Sequence, residues 1–170
     1  MRSIFVDGYN VINSWPELRK IKEYSLESAR EKLIETLQNY SAYNGYKLFI
    51  VFDAHLKNGS IEKKEKLVNN LVVVYTKEGQ TADEFIERNI NGIGRKIDVC
   101  VVTSDSLEQQ TIFQRGATRM SSLEFKHEVR EAENKIRVDT EKKQLEKKHL
   151  LKELIQKEIF EELEKMRRSH

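Results

Sequence analysis

The sequence is poor in the features that mark secreted, disulfide-bonded or membrane-spanning proteins. It contains a single cysteine and a single proline among 170 residues, so a disulfide framework is excluded and a reducing compartment is expected. Cys100 stands inside an apolar segment, where we predict a buried core position. No apolar run is long enough to cross a membrane, and the first apolar segment begins so close to Met1 that we expect no signal peptide. Together these absences predict a cytoplasmic protein.

The sequence also lacks a large excess of charge of either sign. It holds 30 Lys and Arg residues and 28 Asp and Glu residues, which leaves a net charge of +2. Its hydrophobic content of 38% is enough for a folded core, and its length fits one domain or one domain with an appendage. Because there is no overall basic excess, any binding of a polyanion such as RNA has to come from local patches.

Short apolar segments followed by an aspartate recur along the chain. They alternate with amphipathic segments of helical periodicity, which predicts a parallel sheet with helices on both faces. The carboxyl ends of parallel strands share one edge, where ligands bind in open α/β sheets. We therefore expect the aspartates to gather at that edge. The segments are 4–6, 48–52, 72–75 and 99–103, and the aspartates that follow them are Asp7, Asp53, Asp83 and Asp105.

Local signals place two helices between these strands. Ser25 is a candidate N-cap for a helix whose apolar residues recur at spacings of three and four until Gly45. Thr81 and Glu84 form a capping box that opens a second helix, which Gly92 ends. Two other segments lack a clear pattern, and we predict a loop or short helical turn for 11–16 and a polar loop with a helical turn for 54–70.

The last part of the chain has a different character. After residue 121 there is no glycine or proline, and charges of both signs interleave, which predicts solvated, ion-paired helix. We expect a core domain over 1–125 and a charged helical extension over 126–170. Binding of RNA or of a protein partner through this extension is an alternative that the sequence leaves open.

A cluster of carboxylates at one sheet edge favours a metal site. Like charges held close together resist ionisation, and a divalent cation between them removes that cost. Oxygen ligands without a matching set of His or Cys favour Mg²⁺ or Mn²⁺ over structural zinc. Such ions activate water and stabilise charge on a phosphate in transfer. The competing interpretation makes each aspartate a turn or capping residue, although four in succession favour the metal site.

Polar residues near the aspartates are candidates for contacts with a substrate. Asn10 follows Asp7 closely and is expected beside it. His55 comes just after Asp53 and is a candidate substrate contact or general acid, with a structural role as the alternative. Lys57 begins a lysine-containing segment that either steers a polyanion towards the carboxylates or forms an ordinary solvated loop.

Four motifs resemble those of NYN domains, specifically the bacterial YacP-like group within the PIN-like nuclease fold. They are VDGYN at 6–10, VFDAH at 51–55, TADE at 81–84 and TSD at 103–105, and they occur in the family's order. The resemblance covers roughly residues 1–130, with the helical tail as an arguable continuation. It implies an α/β fold of the PIN-like (flavodoxin-like) type, a three-layer sandwich with a central, mostly parallel sheet and a C-terminal helical extension.

The resemblance also implies a function, that of a metal-dependent endoribonuclease using Mg²⁺ or Mn²⁺. Asp7, Asp83 and Asp105 are implied as the catalytic, metal-holding carboxylates, with Asp53 as a fourth acidic residue at the rim. The implied setting is mRNA decay, with the ribosome as a candidate partner. The residues that we assign to binding of the RNA substrate are Asn10, Asp53, His55, Lys57, Ser104 and Arg115.

Other classes of protein place acidic residues at strand ends. A receiver domain needs an acidic pair after its first strand and an acceptor Asp after its third, whereas Gly8 follows Asp7 and Thr76 follows Tyr75 here. A haloacid-dehalogenase phosphatase needs a second Asp two residues after the first, where this chain has Tyr9. The remaining alternative is a non-catalytic RNA- or ribosome-binding module on the same fold, which the complete set of acids disfavours.

Overall fold

A computed structural model describes residues 1–54, 61–66, 70–93, 97–104 and 116–169 of the chain. The described strands form one six-stranded sheet in the order β3-β4-β2-β1-β5-β6. The pairing of β3 with β4 is antiparallel and the other pairings are parallel. The elements in chain order are β1 (Ser3–Asp7), α1 (Gly8–Ser14), α2 (Pro16–Tyr24), α3 (Leu26–Asn44), β2 (Lys47–Phe52), β3 (Lys63–Lys66), β4 (Leu71–Tyr75), α4 (Ala82–Gly92), β5 (Val99–Val102), β6 (Thr118–Met120) and α5 (Ser122–Arg168).

Helices cover both faces of the sheet, which confirms the predicted α/β sandwich. Side chains alternate along β1, so that Ile4 and Val6 belong to one apolar cluster and Phe5 to the other. The first cluster joins the sheet to α1, α2, α3 and the start of α5, and the second joins it to α4. Cys100 is fully buried, as predicted. Burial raises the pKa of its thiol, so the group stays protonated and inert at neutral pH.

The register of the central strands brings the predicted site to one edge. Asp7, the last residue of β1, pairs with Val51 of β2. On the other side of β1, Val6 pairs with Val102 of β5. Asp53 stands two residues after Val51, and Ser104 stands two residues after Val102. Both therefore begin segments that leave the sheet at the edge where Asp7 lies.

Two predicted loops prove to contain regular structure. Segment 11–16 belongs to α1 and α2, because Asp7 caps the first helix and Pro16 occupies the first turn of the second, where its missing N–H costs nothing. Part of segment 54–70 forms β3, an edge strand of sequence KKEK. Lysines at a sheet edge discourage pairing with other chains, and this polar strand carries no apolar signal from which it could have been predicted.

Gly8 begins α1 directly under the ring of Phe52. A Cβ at this position would overlap that ring, which packs between Tyr9 and Tyr75 and is fully buried. We expect Gly8→Ala to lower the free energy of unfolding by about 1–3 kcal/mol, because the ring has little room to move. Urea denaturation measures the effect, with Gly92→Ala as the control, since a Cβ at Gly92 meets nothing within 4 Å. Equal stability of the two variants would contradict this account.

The chain divides into two compact units, Met1–Ala132 and Glu133–His170. Phe125, Val129 and Ala132 are buried, so the beginning of α5 is part of the core of the first unit. The functional division that we expect at residue 125 stays a prediction. In the second unit α5 is charged, and large apolar side chains such as Leu154 and Ile159 are exposed. None of the helices within the described ranges combines the length and apolar character needed to cross a membrane.

Candidate active site

Asp7 is fixed at the end of the central strand by the helix that follows it. Its Oδ1 accepts a hydrogen bond from the backbone N–H of Asn10 at 3.2 Å, the interaction of a helix N-cap. The side chain is half-buried. The short turn from β1 into α1 therefore holds a carboxylate at the carboxyl edge of the sheet, in a defined orientation.

Asn10 connects three segments that are distant in sequence. Its Oδ1 accepts hydrogen bonds from the backbone N–H of Ser104 at 3.0 Å and from the hydroxyl of Ser122 at 2.5 Å. The hydroxyl oxygen of Ser104 in turn accepts from the backbone N–H of Ser122 at 3.3 Å. This network fixes the chain after β5, where Asp105 follows, against α1 and the start of α5. Contacts of Asn10 and Ser104 with RNA stay a prediction.

Asp53 holds the helix that carries Asp83. Its Oδ1 accepts from the backbone N–H of Ala82, the first residue of α4, at 2.9 Å. The predicted capping box is present, with both hydrogen bonds formed between Thr81 and Glu84. Asp83 lies exposed in the first turn of that helix. Asp53 is thus a positioning residue for α4, in addition to the substrate contact that we predict for it.

Thr76 is a further positioning residue, and no local sequence pattern indicates its role. It is completely buried after β4. Its hydroxyl accepts from the backbone N–H of Ala54 at 3.1 Å and donates to the carbonyl of Gln80 at 2.7 Å, while its own N–H donates to the carbonyl of Phe52 at 3.0 Å. These bonds tie the ends of β2 and β4 to the loop that leads into α4.

The link between Asp53 and α4 predicts different effects for two substitutions. Asp53→Asn keeps a side-chain oxygen that can accept from the N–H of Ala82, whereas Asp53→Ala leaves this N–H unpaired at a buried residue. We expect Asp53→Ala to lower the free energy of unfolding by about 1–3 kcal/mol and Asp53→Asn to cost clearly less. Urea denaturation of both variants measures this. Equal losses would show that the charge of Asp53, and not its cap on α4, stabilises the fold.

The oxygen donors at this edge suit a hard divalent cation. Asp7, Asp53 and Asp83 supply carboxylates, and Mg²⁺ and Mn²⁺ prefer such ligands. Within the described part of the chain, no three Asp, Glu, His or Cys side chains lie close enough together to hold a metal ion. The metal-holding set that we predict, Asp7, Asp83 and Asp105, therefore depends on Asp105, which lies outside the described residues. The candidates that lie outside the described residues are Asp105, His55, Lys57 and Arg115.

The surface beside the acidic residues carries charges of both signs. The ammonium of Lys63 on β3 lies 2.6 Å from a carboxylate oxygen of Glu65, and Lys64 lies 3.2 Å from Glu62. Glu62 also binds Arg88 at 3.2 Å. The hydrogen bond that Lys63 donates to Glu65 raises the pKa of Lys63, so this lysine is fully charged at neutral pH. Lys63 and Lys64, which belong to the lysine-containing segment that follows Asp53, are thus both paired with carboxylates.

Comparisons with known proteins agree with the motifs. The family model described as the YacP-like NYN domain matches residues 4–168. The chain is 44% identical over 140 residues to the uncharacterized protein YacP of Bacillus subtilis (strain 168), covering 80% of this chain and 79% of the relative.

Solved structures show the same likeness. The crystal structure of Rae1 (YacP) from Bacillus subtilis superposes with a TM-score of 0.75 at 38% identity, covering 99% of this chain and 95% of that one. A structure of a single-residue mutant of the same protein gives a TM-score of 0.69 at 38% identity, covering 82% and 81%. The likeness thus extends over the sheet, the helices and the long final helix.

Proposed function

We propose that this chain, which belongs to the YacP-like NYN domain family, is a divalent-metal-dependent endoribonuclease that hydrolyses phosphodiester bonds of RNA. NYN domains are part of the PIN-like nuclease superfamily. The observation that carries the proposal is the position of Asp7 and of the Asp53–α4 contact, which bring two of the family's acidic motifs to the ends of adjacent parallel strands. An Asn could accept the same hydrogen bonds from Asn10 and Ala82, so these structural roles alone do not require a carboxylate at both strand ends.

We assign the following roles to the site residues. Asp7, Asp83 and Asp105 hold the cation through their carboxylate oxygens, and the bound ion would activate water and offset charge on the phosphate. Asp53 keeps α4 and Asp83 at the edge of the sheet, and Asn10 keeps the segment of Ser104 in place. We assign further contacts with the RNA to the remaining candidates, which are His55, Lys57 and Arg115.

The substrate that we propose is mRNA, with the ribosome as the candidate partner and the cytoplasm as the place of action. These three points rest on the resemblance to the YacP-like group. The alternative is a non-catalytic RNA- or ribosome-binding module with the same fold.

Cleavage of a labelled RNA separates the two functions. A single-stranded RNA of mixed sequence carrying a label at its 5′ end is incubated with the full chain in Mg²⁺, in Mn²⁺ and in EDTA. We expect internal cleavage products with either metal and none in EDTA, and no products from DNA of the same sequence. RNA that is bound but left intact under all three conditions would contradict the nuclease and favour the binding module.

A further inference from the structure

A cavity of about 480 Å³ opens beside Asp53, between α3, the turn after β1 and the outer strands of the sheet. This volume lies within the range of sites for small molecules. The rings of Tyr9 and Tyr75 line it, and each packs against Phe52, with ring centroids 5.1 and 5.6 Å apart. The cavity therefore has aromatic walls that the core holds in place.

Charged groups are also placed around this cavity. The guanidinium of Arg30 donates a hydrogen bond to the hydroxyl of Tyr9 at 2.9 Å, which anchors it between α3 and the first turn of α1. Glu27, Glu65 and Asp53 contribute carboxylates to the lining. Ionised carboxylates only accept hydrogen bonds, whereas a guanidinium only donates them. The lining thus combines two rings, an anchored planar cation and several acceptors.

The phenol of Tyr75 adds a donor to this lining. Burial raises its pKa above the ordinary value, although the charges of Arg30 and Lys63 act in the opposite direction. The hydroxyl is therefore protonated at neutral pH. Tyr75, Arg30 and Lys63 all line the same cavity.

We propose that this cavity binds one unpaired base of the RNA strand, an inference that rests on the proposed function. Proteins recognise single-stranded RNA by stacking splayed-out bases on aromatic rings and guanidinium planes and by hydrogen bonds to the base edges. The cavity borders Asp53, which positions α4 and Asp83. A base bound in the cavity lies next to the acidic edge of the sheet and determines which phosphodiester bond of the RNA reaches that edge.

The carboxylate of Glu27 predicts which base is preferred, because Glu65 is paired with Lys63 and Asp53 accepts from the N–H of Ala82. Guanine presents two adjacent donors, N1–H and the N2 amino group, on one edge, and these match a carboxylate. Uracil presents a single N–H between two carbonyl oxygens, and a carboxylate repels these oxygens. The cavity is therefore expected to favour guanine over uracil.

Binding in EDTA tests this base pocket without requiring cleavage. The probes are a fluorescein-labelled twelve-residue oligouridine and the same oligomer with one central guanine, and fluorescence anisotropy gives the dissociation constant. We expect the full chain to bind the guanine-containing probe about tenfold more tightly, the gain from one hydrogen-bonded contact with a charged group. Tyr75→Leu, which removes a stacking ring, and Glu27→Gln, which removes a carboxylate of the lining, should each remove this difference, whereas Tyr75→Phe, which keeps the ring, should retain it.

Tyr24→Leu is the matched control, because Tyr24 is 90% exposed and does not line the cavity. If Tyr75→Leu fails to fold, Glu27→Gln tests the same cavity from α3. Equal binding of the two probes by the wild type would overturn the pocket, as would a guanine preference that survives Glu27→Gln. Cleavage without base preference would overturn the pocket alone, whereas a guanine preference without metal-dependent cleavage would support the pocket and overturn the nuclease.

Discussion

Asp7→Asn is expected to reduce the rate of RNA cleavage at least about a hundredfold, because metal-ion catalysis contributes several kcal/mol to lowering the barrier. The same substitution should leave the free energy of unfolding nearly unchanged. Asn is as good an N-cap as Asp, so the hydrogen bond from the N–H of Asn10 is retained. Initial rates of cleavage in Mg²⁺ and urea denaturation of the same preparation measure the two effects.

Asp98→Asn is a suitable control for this experiment. Asp98 immediately precedes β5, at the opposite edge of the sheet, where its carboxylate lies 3.7 Å from the guanidinium of Arg2. Its replacement should leave cleavage intact. If Asp7→Asn cleaved RNA at the wild-type rate, Asp7 would be a capping residue only, and the proposed metal site would lose its central ligand.

Asp105→Asn is expected to remove most of the thermal stabilisation that Mg²⁺ or Mn²⁺ gives to the wild-type chain. A ligand that binds only the folded state stabilises it by about 2.7 kcal/mol at a concentration a hundred times its dissociation constant. In EDTA the variant should melt at the wild-type temperature or higher, because one of several like charges has been removed. Melting curves in EDTA and in Mn²⁺ measure both effects.

The structural alternative for Asp105 gives the opposite pattern. Replacement of a turn or capping residue would lower the free energy of unfolding by roughly 0.5–2 kcal/mol, with or without metal. A variant that melts lower in EDTA and responds fully to Mn²⁺ would therefore assign Asp105 to the scaffold.

The parts of the fold that could be predicted from the sequence are those with a strong local signal. The central strands are uninterrupted apolar runs because both of their faces are covered, and α4 begins with a capping box. The sequence of β3 has no such signal, because it is a polar edge strand whose conformation comes from its antiparallel pairing with β4. For α1 the sequence left a loop or a short helical turn open, because the metal-ligand interpretation of Asp7 was preferred to its role as a helix cap.

The sequence points to the acidic residues of the candidate site, whose roles stay a prediction, but not to the residues that support them. The chemistry of a carboxylate after an apolar strand is visible in the sequence, whereas the bond from Ala82 to Asp53 joins residues 29 positions apart. The buried hydroxyls of Thr76 and Ser122 likewise bind Ala54 and Asn10, which only the folded sheet brings near. The cavity between Tyr9 and Tyr75 depends on the register of β1, β2 and β4, which no local pattern specifies.

The proposed nuclease depends on a divalent cation bound where Asp7, Asp83 and Asp105 are expected to meet. Anomalous diffraction from crystals of the full chain soaked in Mn²⁺ locates such an ion independently of activity. We expect an anomalous peak at the carboxyl edge of the sheet, within coordination distance of carboxylate oxygens of Asp7 and Asp105. A fully soaked crystal with no peak at that edge, from a preparation that still cleaves RNA, would contradict the proposed metal site.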